Sequence, residues 1–191
     1  SDFLLGVFDG HRMGGLRFKL NQDGPFLNDH KKMATPPWTS LRELEQASLQ
    51  LERHDAMNDP EYYHWLSLLI DPGSSLGGAR PKASVVDDQG HLWIAKFPSS
   101  SDDKNVGAWE MVLHQLAIAC GIQVSEARLQ KFSSKHATFL SKRFDRTKNQ
   151  RRIHFASALT LLGLQDGADY LEGVGYLDLV AFVMKNSPQA K

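Results

Sequence analysis

The sequence is poor in the features that would assign it quickly. Of its 191 residues one is cysteine, Cys120, so an intrachain disulfide and a cysteine-based zinc site are both excluded, in keeping with a reducing compartment. Charge of one sign is lacking too: 22 Lys and Arg balance 22 Asp and Glu. The chain therefore has no global attraction for nucleic acid or anionic lipid. No apolar run approaches the ~18 residues of a membrane span, and no signal peptide opens the chain. The eight histidines (11, 30, 54, 64, 91, 114, 136 and 154) include no i, i+4 pair and none beside the cysteine, which argues against a metal site. An initiator methionine is also lacking. The chain starts at Ser1 and stops just after a helical pattern, so an excised piece of a longer protein is expected. What is present, 41% hydrophobic residues with ten Phe and four Trp, belongs to a folded domain and lies far from the composition of disorder.

Along the chain, residues 3–9 and 14–19 read as loop and strand. Ser40-Leu41-Arg42-Glu43 has the capping-box pattern, and Leu41, Leu44, Ser48 and Leu51 follow at helical spacing. A second helix is expected behind Asp59-Pro60, with Tyr62, Trp65, Leu66 and Leu69 on one face. A small-residue loop from Asp71 to Lys82 then leads into a hairpin, Ala83 to Asp87 and His91 to Phe97, turned at Asp88-Gln89-Gly90. A further helix carries Val106, Trp109, Leu113, Leu116, Ala117 and Cys120 on one apolar stripe and stops at Gly121. Trp65 and Trp109 are expected in the core. Strands near 127–132 and 138–144 and helical patterns at 156–162 and 176–185 complete an α+β order.

Three features bear on chemistry. Gly73 to Gly78 has Walker-loop spacing, but Ala79-Arg80 stand where Lys and Ser/Thr are required, and the kinase G-x-G-x-x-G fails as well. On its residues this stretch is either a surface loop or an anion site with Arg80 or Lys82. Lys96, in Trp93-Ile94-Ala95-Lys96-Phe97, alternates onto the face opposite the two aromatics. On the following helix Glu110 falls within the apolar stripe, where a carboxylate needs a partner; Lys96, fourteen residues upstream, is the expected one. Such a strand-lysine to helix-glutamate pair is what protein kinases use to orient a lysine on nucleotide phosphates. The third feature, Lys142 to Arg152, has six basic residues and one acidic, Asp145. It reads as a solvated hairpin end rather than a nucleic-acid patch, since no row of aromatics accompanies it.

Taken together these segments resemble the HipA family, bacterial serine/threonine kinases that are toxins of type II toxin–antitoxin modules. The resemblance is carried by Ser74-Ser75-Leu76-Gly77-Gly78-Ala79-Arg80-Pro81-Lys82, by Ile94-Ala95-Lys96-Phe97-Pro98, by Glu110 with Leu116-Ala117 and Gly121-Ile122, and above all by Lys142-Arg143-Phe144-Asp145-Arg146. The early Phe3-Leu4-Leu5-Gly6-Val7 and Arg12-Met13-Gly14 extend it over nearly the whole chain. It implies a kinase-like small lobe at 71–145, preceded by the end of an N-terminal subdomain at 1–70 and followed by the first helices of a large lobe at 146–191. It further implies ATP as the bound nucleotide, with Lys96 on its phosphates and Glu110 as the partner of that lysine. Ser75, Gly77, Gly78, Ala79 and Lys82 would belong to the phosphate-covering loop, with Ser75 its autophosphorylation site. Lys142 and Phe144 would lie in the segment that reads the adenine edge. The family's catalytic Asp and its magnesium ligands have no counterpart here, so Mg2+ would be held by residues outside this chain, and the isolated chain is expected to be inactive. A helix-turn-helix antitoxin and a protein substrate are the implied partners, without direct nucleic-acid or membrane contact, in the cytoplasm. The alternative is a non-catalytic protein-interaction or nucleotide-binding module.

Overall fold

A computed structural model describes residues 8–27, 34–73, 80–165, 167–168, 171 and 173–187. Residues 3–7 and the loop residues Ser75, Gly77, Gly78 and Ala79, all singled out above, lie outside the described residues. Two compact units are present, 1–153 and 154–191.

The first unit is built on a four-stranded antiparallel sheet, β1 (Lys82–Val86), β2 (Leu92–Lys96), β3 (Ala127–Gln130) and β4 (Thr138–Lys142), in the order β1-β2-β4-β3. The β1–β2 turn is organised by Asp87, whose Oδ1 accepts the amides of Gln89 at 3.0 Å and His91 at 2.7 Å while its Oδ2 accepts Trp93 Nε1 at 2.9 Å. Gly90 there has φ +80°, a conformation that L side chains rarely adopt. Strand alternation divides the sheet into two faces. Ala83, Val85, Trp93, Ala95 and Leu140 point to one, where they are wholly buried with Phe97 and with Leu41 and Leu44 of helix α1 (Leu41–Leu51). Helix α2 (Tyr62–Gly73) adds Leu68 and Leu69, and Trp38 meets Trp93 edge-on at 5.3 Å. Lys82, Lys96 and Phe139 point to the other face, in register with one another. Helix α3 (Val106–Ala119) packs against β3 and β4.

Several local expectations are corrected. Ser40 does not cap α1: it lies in a 3-10 turn, Trp38–Ser40, with helical backbone and no capping side-chain hydrogen bond, so the capping box does not form. Of the strand expected at 14–19, the described structure has an isolated bridge between Lys19 and Phe26. Helices α1 and α2 share one core with the strands, and Arg146 pairs with Arg152 in an isolated bridge, all within the first compact unit, 1–153.

In the second unit, α4 (Ala158–Leu162) is capped by Ser157, whose Oγ accepts the Thr160 amide at 3.1 Å, and is ended by Gly163 at φ +69°. Helix α5 (Tyr176–Asn186) follows. Leu159, Leu162, Val174 and Leu179 line an apolar groove of about 230 Å³ between the two. Among the described residues no helix is long and apolar enough to cross a membrane.

Candidate functional site

The sheet face opposite the core carries the charged row that the sequence singled out. Lys82 and Lys96 are direct cross-strand partners on β1 and β2, and Phe139 continues the row on β4, its ring 5.6 Å from the Lys96 ammonium. The Lys96 Nζ donates to Glu110 Oε2 of α3 at 2.6 Å. These side chains are 36% and 25% exposed, so solvent screens the pair and its contribution to stability is modest, about 1 kcal/mol or less. The pair fixes a position more than it holds the fold. Burial, together with the like charges of Lys96 and Arg80, pushes the Lys82 ammonium below the usual lysine range, against the pull of Glu110. Arg80 is itself committed: its guanidinium binds Asp102 through two bonds of 2.9 and 2.7 Å. Those bonds, with the Ser99 amide, hold Asp102 down to about 2 even though desolvation acts the other way. Two lysines thus stand side by side on a half-buried surface with repulsion between them, a donor set that an anion of several negative charges would relieve.

Helix α3 meets this row with a face different from the one expected. Its apolar arc was expected to be buried, yet Trp109, Leu113 and Leu116 are 59%, 63% and 55% exposed, and no residue of the helix is fully buried. The residues turned to the sheet are Gly107, Glu110, His114 and Ala117, roughly 90° around the helix from the predicted centre at 100° per residue. Two contacts set this rotation. Gly107 lies so close to the sheet that a Cβ there would stand 2.2 Å from Ala137 O, and His114 Nε2 donates to Ser125 O at 2.7 Å. Trp109 is therefore a surface residue, while Trp65 is half-buried.

Lys142 and Phe144, expected at the adenine edge, lie at the end of β4 and just beyond it. Lys142 is in register with Trp93, on the face opposite Lys96, and its Nζ lies 3.8 Å from Glu126. Its amide donates to Glu126 O at 2.8 Å and that of Arg143 to Leu92 O at 2.9 Å, so both are committed to the protein. Phe144 is 57% exposed. A cavity of about 230 Å³ opens beside this segment, lined by His91, Glu126, Lys142, Arg146 and Lys148 among others. The structure therefore brings Lys82, Lys96 and Glu110 together and sets Lys142 and Phe144 apart from them.

The basic segment is not a solvated hairpin end. The side chains of Arg143 and Asp145 are both 0% exposed. Asp145 accepts Arg143 Nε at 2.8 Å, Arg143 Nη2 at 2.7 Å, Arg146 Nη1 at 2.5 Å and the Gly14 amide at 2.8 Å. Arg143 also donates to His11 O and Arg12 O, and Arg152 to Asp9 O. The cluster fastens residues 9–14 to the end of β4. Glu45 was likewise missed: wholly buried on α1, it accepts the Ser133 and Ser134 amides and Thr138 Oγ1 at 3.2, 3.0 and 2.7 Å. The signal existed, since Glu45 follows Leu41 at i+4 inside an apolar stripe, the same logic that singled out Glu110. Among the described residues no group of three or more His, Cys, Asp and Glu side chains converges as a metal site.

An α+β domain in which a sheet lysine pairs with a glutamate of the helix packed beside it is the class that fold and site define. Residues 74–191 match the family model of the HipA-like C-terminal domain, and the chain belongs to that family. No curated protein and no solved structure matches the chain.

Proposed function

We propose that this chain is the ATP-binding half of a HipA-like protein serine/threonine kinase. The observation that carries the reading is the Lys96–Glu110 pair, strand to following helix at 2.6 Å, with Lys82 beside it. With one Nζ hydrogen held by Glu110, the Lys96 ammonium keeps a fixed position and turns its remaining donors to the nucleotide phosphates. Phosphoryl transfer depends mainly on such positioning and on charge neutralisation. Lys82 and the loop containing Ser75, Gly77, Gly78 and Ala79 would cover the phosphates, and Phe144 with the neighbouring Lys142 would border the adenine. Ser75 would be the autophosphorylation site. Within the parent protein the acceptor is a protein hydroxyl, the regulatory partner a helix-turn-helix antitoxin and the compartment the cytoplasm. Mg2+ and the catalytic base would come from residues that this chain does not supply, so the chain by itself is expected to transfer no phosphate.

The test is ligand-dependent stability. A ligand that prefers the native state raises the melting temperature by mass action, by about 2.7 kcal/mol at a hundredfold excess over Kd. MgATP raises the melting temperature of the wild-type chain, and Lys96→Ala abolishes most of the rise. An absent shift, or an equal shift in Lys96→Ala, overturns the reading. The exposed apolar arc of α3 favours a second reading, a protein-interaction module in which Lys96 and Glu110 are only structural; that reading expects no response to nucleotide.

A further inference from the structure

The helix that carries Glu110 is attached to the sheet at its very first turn. Asn105 is the N-cap of α3, and its Oδ1 accepts two amides, Ala108 N of the helix and Ala137 N at the start of β4, both at 3.1 Å. A capping side chain ordinarily satisfies one free amide of its own helix; this one also spans to the neighbouring strand. Two residues on, the backbone of Gly107 approaches Ala137 O so closely that a Cβ would lie 2.2 Å from that oxygen and 3.3 Å from Phe139 N. The obstacle is backbone, which cannot rotate away, so any side chain larger than hydrogen displaces the helix. Glu110 follows three residues later on the same face, and His114 ties the next turn to Ser125 O. Phe139, whose amide borders Gly107, also carries the ring beneath Lys96.

We propose that Asn105 and Gly107 are positioning residues that lock α3 onto β4 and so keep the Lys96–Glu110 pair assembled whether or not a ligand is bound. A helix that swings outward separates such a pair and is one way in which activity is switched. Here that swing would break the Asn105–Ala137 bond, which spans to the strand, and the Gly107 contact at once. Control of the site then falls to other elements, and α3 stays fixed. The consequence for nucleotide binding rests on the function proposed above; the lock itself does not.

The experiment reads the lock on the whole 191-residue chain without nucleotide. Lys96 is acylated with an amine-reactive ester, and its modification rate is measured by mass spectrometry relative to exposed Lys185. An ammonium engaged by Glu110 is shielded from the reagent, and Glu110→Ala gives the rate of the released lysine. Asn105→Ala and Gly107→Ala are expected to raise Lys96 labelling several-fold toward the Glu110→Ala rate. Asn105→Asp, whose carboxylate can accept both amides, is expected to return it to the wild-type value. That rescue distinguishes positioning from general loss of structure, and it stands even where Gly107→Ala does not fold. Labelling in Asn105→Ala within twofold of wild type, while Glu110→Ala is faster, overturns the proposal; so does a Glu110→Ala rate equal to wild type. A separate arm adds MgATP to the wild-type chain. Failure of MgATP to protect Lys96 counts against the proposed function and leaves the lock to be judged on the variants.

Discussion

The carboxylate of Asp145 is removed from solvent and surrounded by the guanidinium groups of Arg143 and Arg146 and the Gly14 amide. Burial acts to raise its pKa, but the bonds and charge of Arg143, the Gly14 amide and Arg146 outweigh it, and the group stays below the usual carboxylate range. A buried ion pair owes little net stability to its charges, whereas removing one partner is costly because the other remains buried and charged. Asp145→Asn keeps the size of the side chain and strands Arg143. We expect it to destabilise the chain by about 3–5 kcal/mol, read as a lower urea midpoint, whereas Lys96→Ala at the half-exposed pair costs about 1 kcal/mol or less. Two residues in similar motifs thus separate into a structural ion pair and a positional one, and burial decides between them. Alternation in β2 and the stripe of α3 made the Lys96–Glu110 pair legible in the sequence. The burial of Asp145 was not, because its ion pairs with Arg143 and Arg146 read as local surface contacts, and the backbone that encloses them, the Gly14 amide on Asp145 and the His11 and Arg12 carbonyls on Arg143, lies far away along the chain where no local period points to it.

Among the elements, α3 departs furthest from its pattern. A stripe argument assumes that the most apolar arc faces the core. Here the first turn is fixed by a glycine contact and an asparagine cap, and the rest of the helix follows that phase, leaving Trp109, Leu113 and Leu116 in solvent. The prediction is direct: Leu113→Gln and Leu116→Gln each change unfolding free energy by less than about 0.5 kcal/mol, as surface substitutions do, whereas a core position would lose roughly 2–5 kcal/mol on truncation. Thermal or urea unfolding of the two variants decides. The hairpin of β1 and β2, by contrast, was readable throughout, because Asp87 and Gly90 encode the turn and strict alternation encodes the faces. The helix starts were less so. Ser40 matches a capping box letter for letter, but the 3-10 turn that begins at Trp38 gives it helical backbone before the helix proper begins.

For the molecule as a whole, the same cluster that buries Asp145 sets an acid limit. His11 Nδ1 accepts the Thr35 amide at 3.0 Å, which requires that nitrogen to be unprotonated. Burial, and then the charges of Arg143, Arg146 and Arg152, hold His11 down to about 4 from an ordinary 6.5. A depressed folded-state pKa means that the unfolded chain takes up the proton first, so stability present above pH 6.5 is lost as the pH falls toward 4. The loss is about 3 kcal/mol at most. A second loss follows as Asp102 titrates between 3.8 and about 2. Urea midpoints at pH 7.5, 5.5, 4 and 2.5 on the wild type and His11→Asn check this: the variant flattens the window between 6.5 and 4 and leaves the loss between pH 4 and 2.5 unchanged. The cluster has a further consequence in time. Its halves are separated by 131 residues at Gly14 and Asp145 and by 143 at Asp9 and Arg152. At a synthesis rate of about 5–20 residues per second, residues 9–14 leave the ribosome roughly 7–30 s before the arginines that bind them. During that interval the beginning of the chain has no native partner in the cluster, and it is open to any chaperone or protease near the exit tunnel.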